Sequence, residues 1–253
     1  MQDRHDPVAM SLSLLAMFAL WEGVAFVLSD PTLLPGPIEV ASIIMDEAAS
    51  GRLWRHLWPT VLRVIAAFSL AMAVGTALGL LLGMSKRADR WLDPWVVVFL
   101  NLPALVVIVL CYLWIGLNEM AAIIAVAVNK TALVLVTVRE GARALDPQLH
   151  QMARVFGMSR WAEMRHVTLP QLAPHFSSAA RNGLAIIWKL VLVVEFLGRS
   201  NGIGFQIHLY FQLFEIGHVM AYAMTFVLLM LVVEVILIQP VERGVRAWRQ
   251  SEV

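Results

Sequence analysis

A chain of 253 residues that is 60% hydrophobic and only 15% charged departs from water-soluble domains, which carry about 25% charged and about 45–50% apolar residues. With a mean hydropathy of +0.75, it needs an apolar solvent as well as an apolar core. The net charge of +1 excludes a broad electrostatic partner such as nucleic acid. The single cysteine, Cys111, excludes an intrachain disulfide and reads as a small packed hydrophobe.

Six apolar stretches follow in chain order, at Pro7–Leu28, Pro59–Met84, Leu92–Ile115, Met120–Val138, Phe176–Leu197 and His218–Ile238. Each approaches the ~20 residues that a helix needs to cross a ~30 Å hydrocarbon core. Backbone polar groups in lipid must be bonded within the segment, so the stretches are expected to be helices. The expected fold class is an all-α membrane protein with about six transmembrane helices. The first stretch is long for a signal peptide, has Asp3 and Asp6 beside Arg4 and lacks a small-residue cleavage site, so it reads as a retained helix. Between the first two stretches, Pro31 and the Pro35-Gly36-Pro37 run form a turn cluster. Ile38–Ala49 then reads as a short amphipathic helix lying on the surface. The second stretch carries Ala71, Gly75, Gly79 and Gly83 at intervals of four. Such a stripe admits another helix closely, either in plain packing or at a subunit or gating interface.

Arg4, Lys86, Arg87, Arg90, Arg139, Arg143, Arg154, Arg160, Arg165, Arg243, Arg246 and Arg249 share one side of a six-span arrangement. Only Arg52, Arg55 and Arg199 fall on the other. The positive-inside rule therefore puts both termini and the loop of about residues 139–175 in the cytoplasm.

Within that loop, Leu149, Met152, Ala153 and Phe156 follow helical spacing and mark one apolar face. Gly157 suits a left-handed helix terminus, and Ser159 can cap a second short helix through Trp161, Met164 and Val167. The residue before Pro170 is biased away from helix, so this unit is expected to stop near Leu169. The apolar face either meets a partner or packs on the loop's own helix ends.

Gln151, Met152 and Ala153, then Gly157, then Val167, Leu169 and Pro170, reproduce a spacing found in ATP-binding-cassette importers. The loop resembles their permease motif: E-A-A, three residues, G, nine residues, I-x-L-P. Leu145-Asp146-Pro147 and Ala173-Pro174 are similar to the nitrate/sulfonate/taurine branch. So are Leu34-Pro35-Gly36-Pro37, Arg63, Asp93-Pro94, Leu102-Pro103, Gly116, Glu195, Gly202-Ile203-Gly204, Glu234 and Glu242-Arg243, in order from about Leu33 to Trp248. The resemblance implies the type I importer permease fold as a single transmembrane permease domain over 1–253, with an N-terminal helix at about 7–28, a core at about 59–240 and the coupling loop at about 139–175. It also implies a bacterial inner-membrane location and a permease homodimer in the lipid bilayer. A periplasmic binding protein would deliver the solute, and cytoplasmic ATPase subunits holding ATP and Mg would dock on the coupling loop. Gln151 departs from the motif's acidic residue and offers neutral hydrogen bonds only. Docking then leans on Met152, Ala153 and Phe156, or Glu163 supplies the charge.

Charges inside spans are costly and face protein or a water-filled cavity. Lys130, beside Asn129 and Thr131, either attracts an anion in the translocation path or serves as a snorkelling lysine or structural partner of Glu195 or Glu234. Lys189, Glu195 and Arg181 pose the same question, so Asn129, Lys130 and Glu195 are the candidate residues of the translocation path, although for Glu195, just before the turn Gly198–Gly204, fixing that outer loop is the first expectation. Asn101 and Asn118 read as helix-end caps. The histidines are scattered without a ligand spacing, so neither a metal site nor a cofactor is expected in this chain. No lysine follows a glycine, so the phosphate-cradling loop of an ATPase is absent. No nucleophile–base pair stands out either, and the chain is not expected to be an enzyme. The branch suggests nitrate, a sulfonate, taurine or another small anion, while related permeases take neutral or heterocyclic vitamin precursors. A stand-alone secondary carrier would show repeats in two halves, which the sequence lacks.

Overall fold

The computed structural model describes residues 7–30 and 32–238. Pro31, Arg4, Glu242, Arg243, Arg246, Trp248 and Arg249, and both termini used in the orientation argument, lie outside the described residues.

Helix α1 (Pro7–Leu28) has the expected bounds and α2 (Pro37–Ala49) begins one residue earlier than expected, with Pro37 in its first turn. None of the Ser11–Leu28 window is buried within the chain. A hydrogen bond from Trp21 Nε1 to the Pro35 carbonyl, at 3.0 Å, ties α1 to the entry of α2. The core is built on α3 (Arg52–Met84) and α6 (Glu119–Arg143), which run parallel. Gly75, Gly79 and Gly83 face Val134, Leu135 and Ala142 in turn, so the small-residue stripe is filled by a helix of the same chain. A Cβ on Gly79 would lie 2.7 Å from the Leu135 carbonyl oxygen, so only glycine permits this approach.

The stretch expected as one span at Leu92–Ile115 is two helices, α4 (Lys86–Asn101) and α5 (Ala104–Ile115), bent by 97°. Pro103 supplies no backbone donor and holds Leu102 extended, at φ −68° and ψ 124°, so the helix cannot run through. Because α3 and α6 are parallel, this bent pair must return the chain from the end of α3 to the start of α6.

The helices of the loop expected to be cytoplasmic are α7 (Pro147–Val155) and α8 (Arg160–Glu163). The expected stop near Leu169 does not occur. A wide π-type turn, Met164–Thr168, passes directly into α9 (Leu169–Gly198). Pro170 falls in the first turn of α9, where the missing donor and the ring are accommodated by the wider turn before it. Helix α9 runs antiparallel to α6, with His175 against Gly141 and Gly198 against Tyr112 and Leu117. A further helix, α10 (Ile203–Gln212), was not expected from periodicity, and α11 (Ile216–Val233) continues into a second π-type turn, Glu234–Ile238.

By length and apolarity, four helices among the described residues can each cross a membrane: α1, α3, α6 and α11. The bent pair makes five if it counts as one span. Helix α9, which carries Arg181, Lys189 and Glu195, is not among them, although it runs the length of α6. The core cluster joins α3, α5, α6, α9, α10 and α11 around Val64, Ile108, Val126, Ile187, Ile203 and Tyr222.

Candidate functional site

At one end of the bundle, Asp146 caps α7 by accepting from the Gln148 N–H at 2.7 Å, ahead of Pro147. Gly157 ends the helix in the left-handed conformation at φ 65°, and the Met158 N–H donates back to the Ala153 carbonyl at 3.0 Å. Ser159 caps α8 through the Ala162 N–H at 3.2 Å. The two short helices are tied together where His150 Nδ1 lies 2.8 Å from Glu163 Oε1. Gln171 on α9 accepts from the Asp146 N–H at 2.9 Å and donates to the Val167 carbonyl at 3.0 Å. The loop is therefore fastened to the start of α9.

The expected apolar face divides in two. Ala153 is fully buried and Val167 nearly so, whereas Met152 and Phe156 are exposed, with Leu169 partly so and Pro170 half-buried. Val155, which the sequence reading did not single out, and Trp161, expected there only as part of the second short helix, are 85% and 72% exposed, as is Phe156 at 77%. Val155 continues the Met152–Phe156 face at helical spacing, and that spacing was the available signal. Gln151 is exposed. Glu163, the alternative source of the motif's charge, is part-exposed and lies against His150.

In the middle of the bundle, Lys130 is 8% exposed and has no hydrogen bond or ion pair among the described residues. It lies 11 residues before Gly141, within about 20° of the same helix face, which packs on α9. With Gly141 against His175 and the two helices antiparallel, Lys130 falls at about the level of residues 183–186 of α9. Gly183 is buried, yet nothing lies within 4 Å of the place its Cβ would occupy. Asn129 is half-buried beside it. The structural partners considered for Lys130 are taken elsewhere: Glu195 binds Arg63, and Glu234 lies 3.5 Å from Arg181. Lys189 is exposed.

At the opposite end of the bundle, Glu195 is fully buried and both of its carboxylate oxygens accept hydrogen bonds. It accepts from Arg63 Nη1 at 2.6 Å, Thr60 Oγ1 at 3.0 Å and the Gly204 N–H at 2.9 Å. Arg63 also holds Glu119 at 2.6 Å and bonds both the carbonyl and the side chain of Asn201. Arg199 closes the ring on Glu119 at 2.6 Å. Gly202 has φ 113°, and its N–H donates to His56 Nδ1 at 3.2 Å, so the backbone turns inside this network. The arrangement ties Glu195 to α3 through Thr60 and Arg63 and to the turn through the Gly204 N–H. Asn118 caps α6 by accepting from the Ala121 N–H at 2.9 Å, whereas Asn101 is the last residue of α4 and donates back to the Val97 carbonyl at 2.8 Å.

Comparison with known proteins gives these features a family. Residues 75–245 match the family described as binding-protein-dependent transport system inner membrane component. SsuC of Escherichia coli strain K12, named for aliphatic sulfonates transport, is 32% identical over 202 residues, covering 80% of this chain and 76% of that protein. The taurine transport system permease protein TauC of the same organism is 25% identical over 207 residues, covering 79% of this chain and 75% of its own. Among solved structures, the MetNI methionine ABC transporter in inward-facing conformations superposes at a TM-score of 0.66 with 18% identity, covering 79% of this chain and 98% of that one, a likeness of fold. This chain therefore belongs to the binding-protein-dependent inner-membrane components, the permeases of ABC importers, in their sulfonate/taurine branch.

Proposed function

We propose that this chain is the permease subunit of an ATP-driven importer that carries a small sulfonate-type anion across the bacterial inner membrane. Two copies would enclose the path, a periplasmic binding protein would deliver the solute, and ATPase subunits holding ATP and Mg would dock on the cytoplasmic loop, with both termini on that side. The whole chain would act as one permease unit.

The observation that carries the coupling is the exposed Val155–Phe156–Trp161 surface on a loop fastened to α9. An apolar knob on a short capped helix can seat in a cleft of a soluble partner. The Asp146–Gln171 bond then passes its displacement to a helix running the full length of the bundle. With Gln151 uncharged and Glu163 held by His150, docking rests on apolar contact by Met152 and Phe156 around the Gly157 turn. Ala153, Val167, Leu169 and Pro170 give the loop its internal packing and its passage into α9.

Lys130 narrows the solute. A largely buried lysine without a carboxylate partner is tolerated where an anion or water completes the solvation of its ammonium, and the open space beside Gly183 lies near its level on α9. Asn129 supplies a neutral donor and acceptor alongside. Glu195 supports the path from its outer end without contacting solute.

The test is uptake of a labelled aliphatic sulfonate by proteoliposomes containing this chain, its ATPase and its binding protein. Uptake should stop when the ATPase is inactivated; uptake that continues would make the chain a secondary carrier and refute the coupling. Lys130→Met should reduce uptake at least tenfold while the ATPase stays bound. Undiminished sulfonate uptake, or uptake only of a neutral vitamin precursor, would refute the anion reading.

A further inference from the structure

We infer that the groove between α3 and α4 is a binding site for one acyl chain of an anionic phospholipid from the cytoplasmic leaflet. This goes beyond the transport reading and stands or falls separately from it. The break at Leu102–Pro103 swings α5 away from the line of α4 by 97° and leaves a groove of about 440 Å³ between α3, α4 and α6. Such a volume lies within the ~300–1,000 Å³ of ordinary ligand sites. Its walls are Leu70, Val74 and Leu78 on α3 and Trp95 and Phe99 on α4, with Thr131 on the α6 floor. Thr131 spends its hydroxyl proton on the Ala127 carbonyl at 2.8 Å, so the lining is almost wholly apolar. An elongated apolar occupant is the matching chemistry.

Length and position select a single acyl chain. The lining on α3 runs from Leu70 to Leu82, about 18 Å of helix, against about 15 Å for one leaflet of the hydrocarbon core. The groove is open to the side, with Val74 and Trp95 both exposed. Its far end stops at the broken span instead of crossing the bilayer.

Charge selects the headgroup. At the cytoplasmic end, Lys86, Arg87 and Arg90 are exposed and have no ion pair among the described residues. The neighbouring carboxylates are already neutralised: Arg139 holds Asp93 at 2.6 Å and Asp89 at 3.2 Å, and Arg143 also binds Asp89. The long basic side chains of α4 can reach the phosphate level while Trp91 and Trp95 sit at the membrane interface. A zwitterionic headgroup would bring its own cation into this surplus of positive charge, whereas an anionic one would not.

The experiment uses the full chain in nanodiscs of equal phosphatidylglycerol and phosphatidylethanolamine with identical acyl chains. Lipid retained after mild detergent release is counted by native mass spectrometry. The protein should keep phosphatidylglycerol in preference to phosphatidylethanolamine. The triple variant K86Q/R87Q/R90Q should lower that preference by about fivefold or more, given roughly 1 kcal/mol per basic residue near an anionic surface. Val74→Trp, a substitution at an exposed wall position, should displace the retained lipid while leaving all three cations in place. Retention at the bulk ratio by the unaltered chain would overturn the proposal. So would an unchanged preference in the triple variant, or unchanged retention in Val74→Trp. Efficient disulfide dimers of a Val74→Cys, Cys111→Ser chain would identify the groove as an interface between two copies and would overturn it as well.

Discussion

Replacing Arg63 by methionine removes the cation from the most buried polar network in the structure. Arg63 is 3% exposed and Glu195 is fully buried, with 2.6 Å between Nη1 and Oε1. In Arg63→Met, Glu195 keeps its bonds from Thr60 and the Gly204 N–H but loses the charge that offsets its desolvation. Breaking a buried pair by deleting one partner costs about 3–5 kcal/mol. The second carboxylate adds little, because Glu119 is half exposed and keeps Arg199 at 2.6 Å, and exposed pairs contribute less than about 1 kcal/mol. The expected loss is therefore about 3–5 kcal/mol, which corresponds to a fall in Tm on the order of 10 °C for a chain of this size. The protein carries its own reporter: Cys111 is its single cysteine and is buried in the core, so a thiol-reactive fluorogenic dye follows unfolding in nanodiscs. Glu195→Gln in the Arg63→Met background removes the stranded charge while keeping the side-chain shape, and should recover most of the stability. The coupling between the two substitutions should reach about 2 kcal/mol or more. Additive losses, or a shift under about 2 °C in Arg63→Met alone, would refute the assignment of Arg63–Glu195 as the clasp of this end of the bundle.

Gly79→Ala sets a methyl 2.7 Å from the Leu135 carbonyl oxygen and 2.8 Å from the Val138 Cβ. Helices α3 and α6 must then separate, and the same dye assay should register a destabilisation of about 1–3 kcal/mol; Gly23→Ala, in open space, should register none. Phe156→Asp, at a 77% exposed position, should leave Tm within about 2 °C yet lower co-purification of the ATPase at least tenfold. Retained co-purification would remove the apolar knob from the docking surface.

Hydrophobic span and charge distribution are local properties, and they made most of the helices legible in the sequence alone. The bounds Pro7–Leu28 follow from an uninterrupted apolar run, and the caps at Asn118, Asp146 and Ser159 follow from side chains that bond their own neighbouring backbone. The left-handed Gly157 belongs to the same class, since the conformation is decided within one turn. Other features depended on groups distant along the chain. Leu102-Pro103 is visible as a helix breaker, but the 97° bend depends on α5 packing against α6. Pro170 is a breaker by the same local rule, yet it sits inside a continuous helix because the preceding π-type turn makes room for it. Glycines at intervals of four say that something approaches closely; only the packed structure decides that the visitor is α6 of the same chain. Buried charges show the division most sharply. The sequence determined that Glu195 and Lys130 lie in apolar surroundings and must answer for their charge. Which of them is paired depends on contacts across more than a hundred residues, such as the Glu195–Arg63 bond, because Coulomb energy follows distance in space rather than separation along the chain.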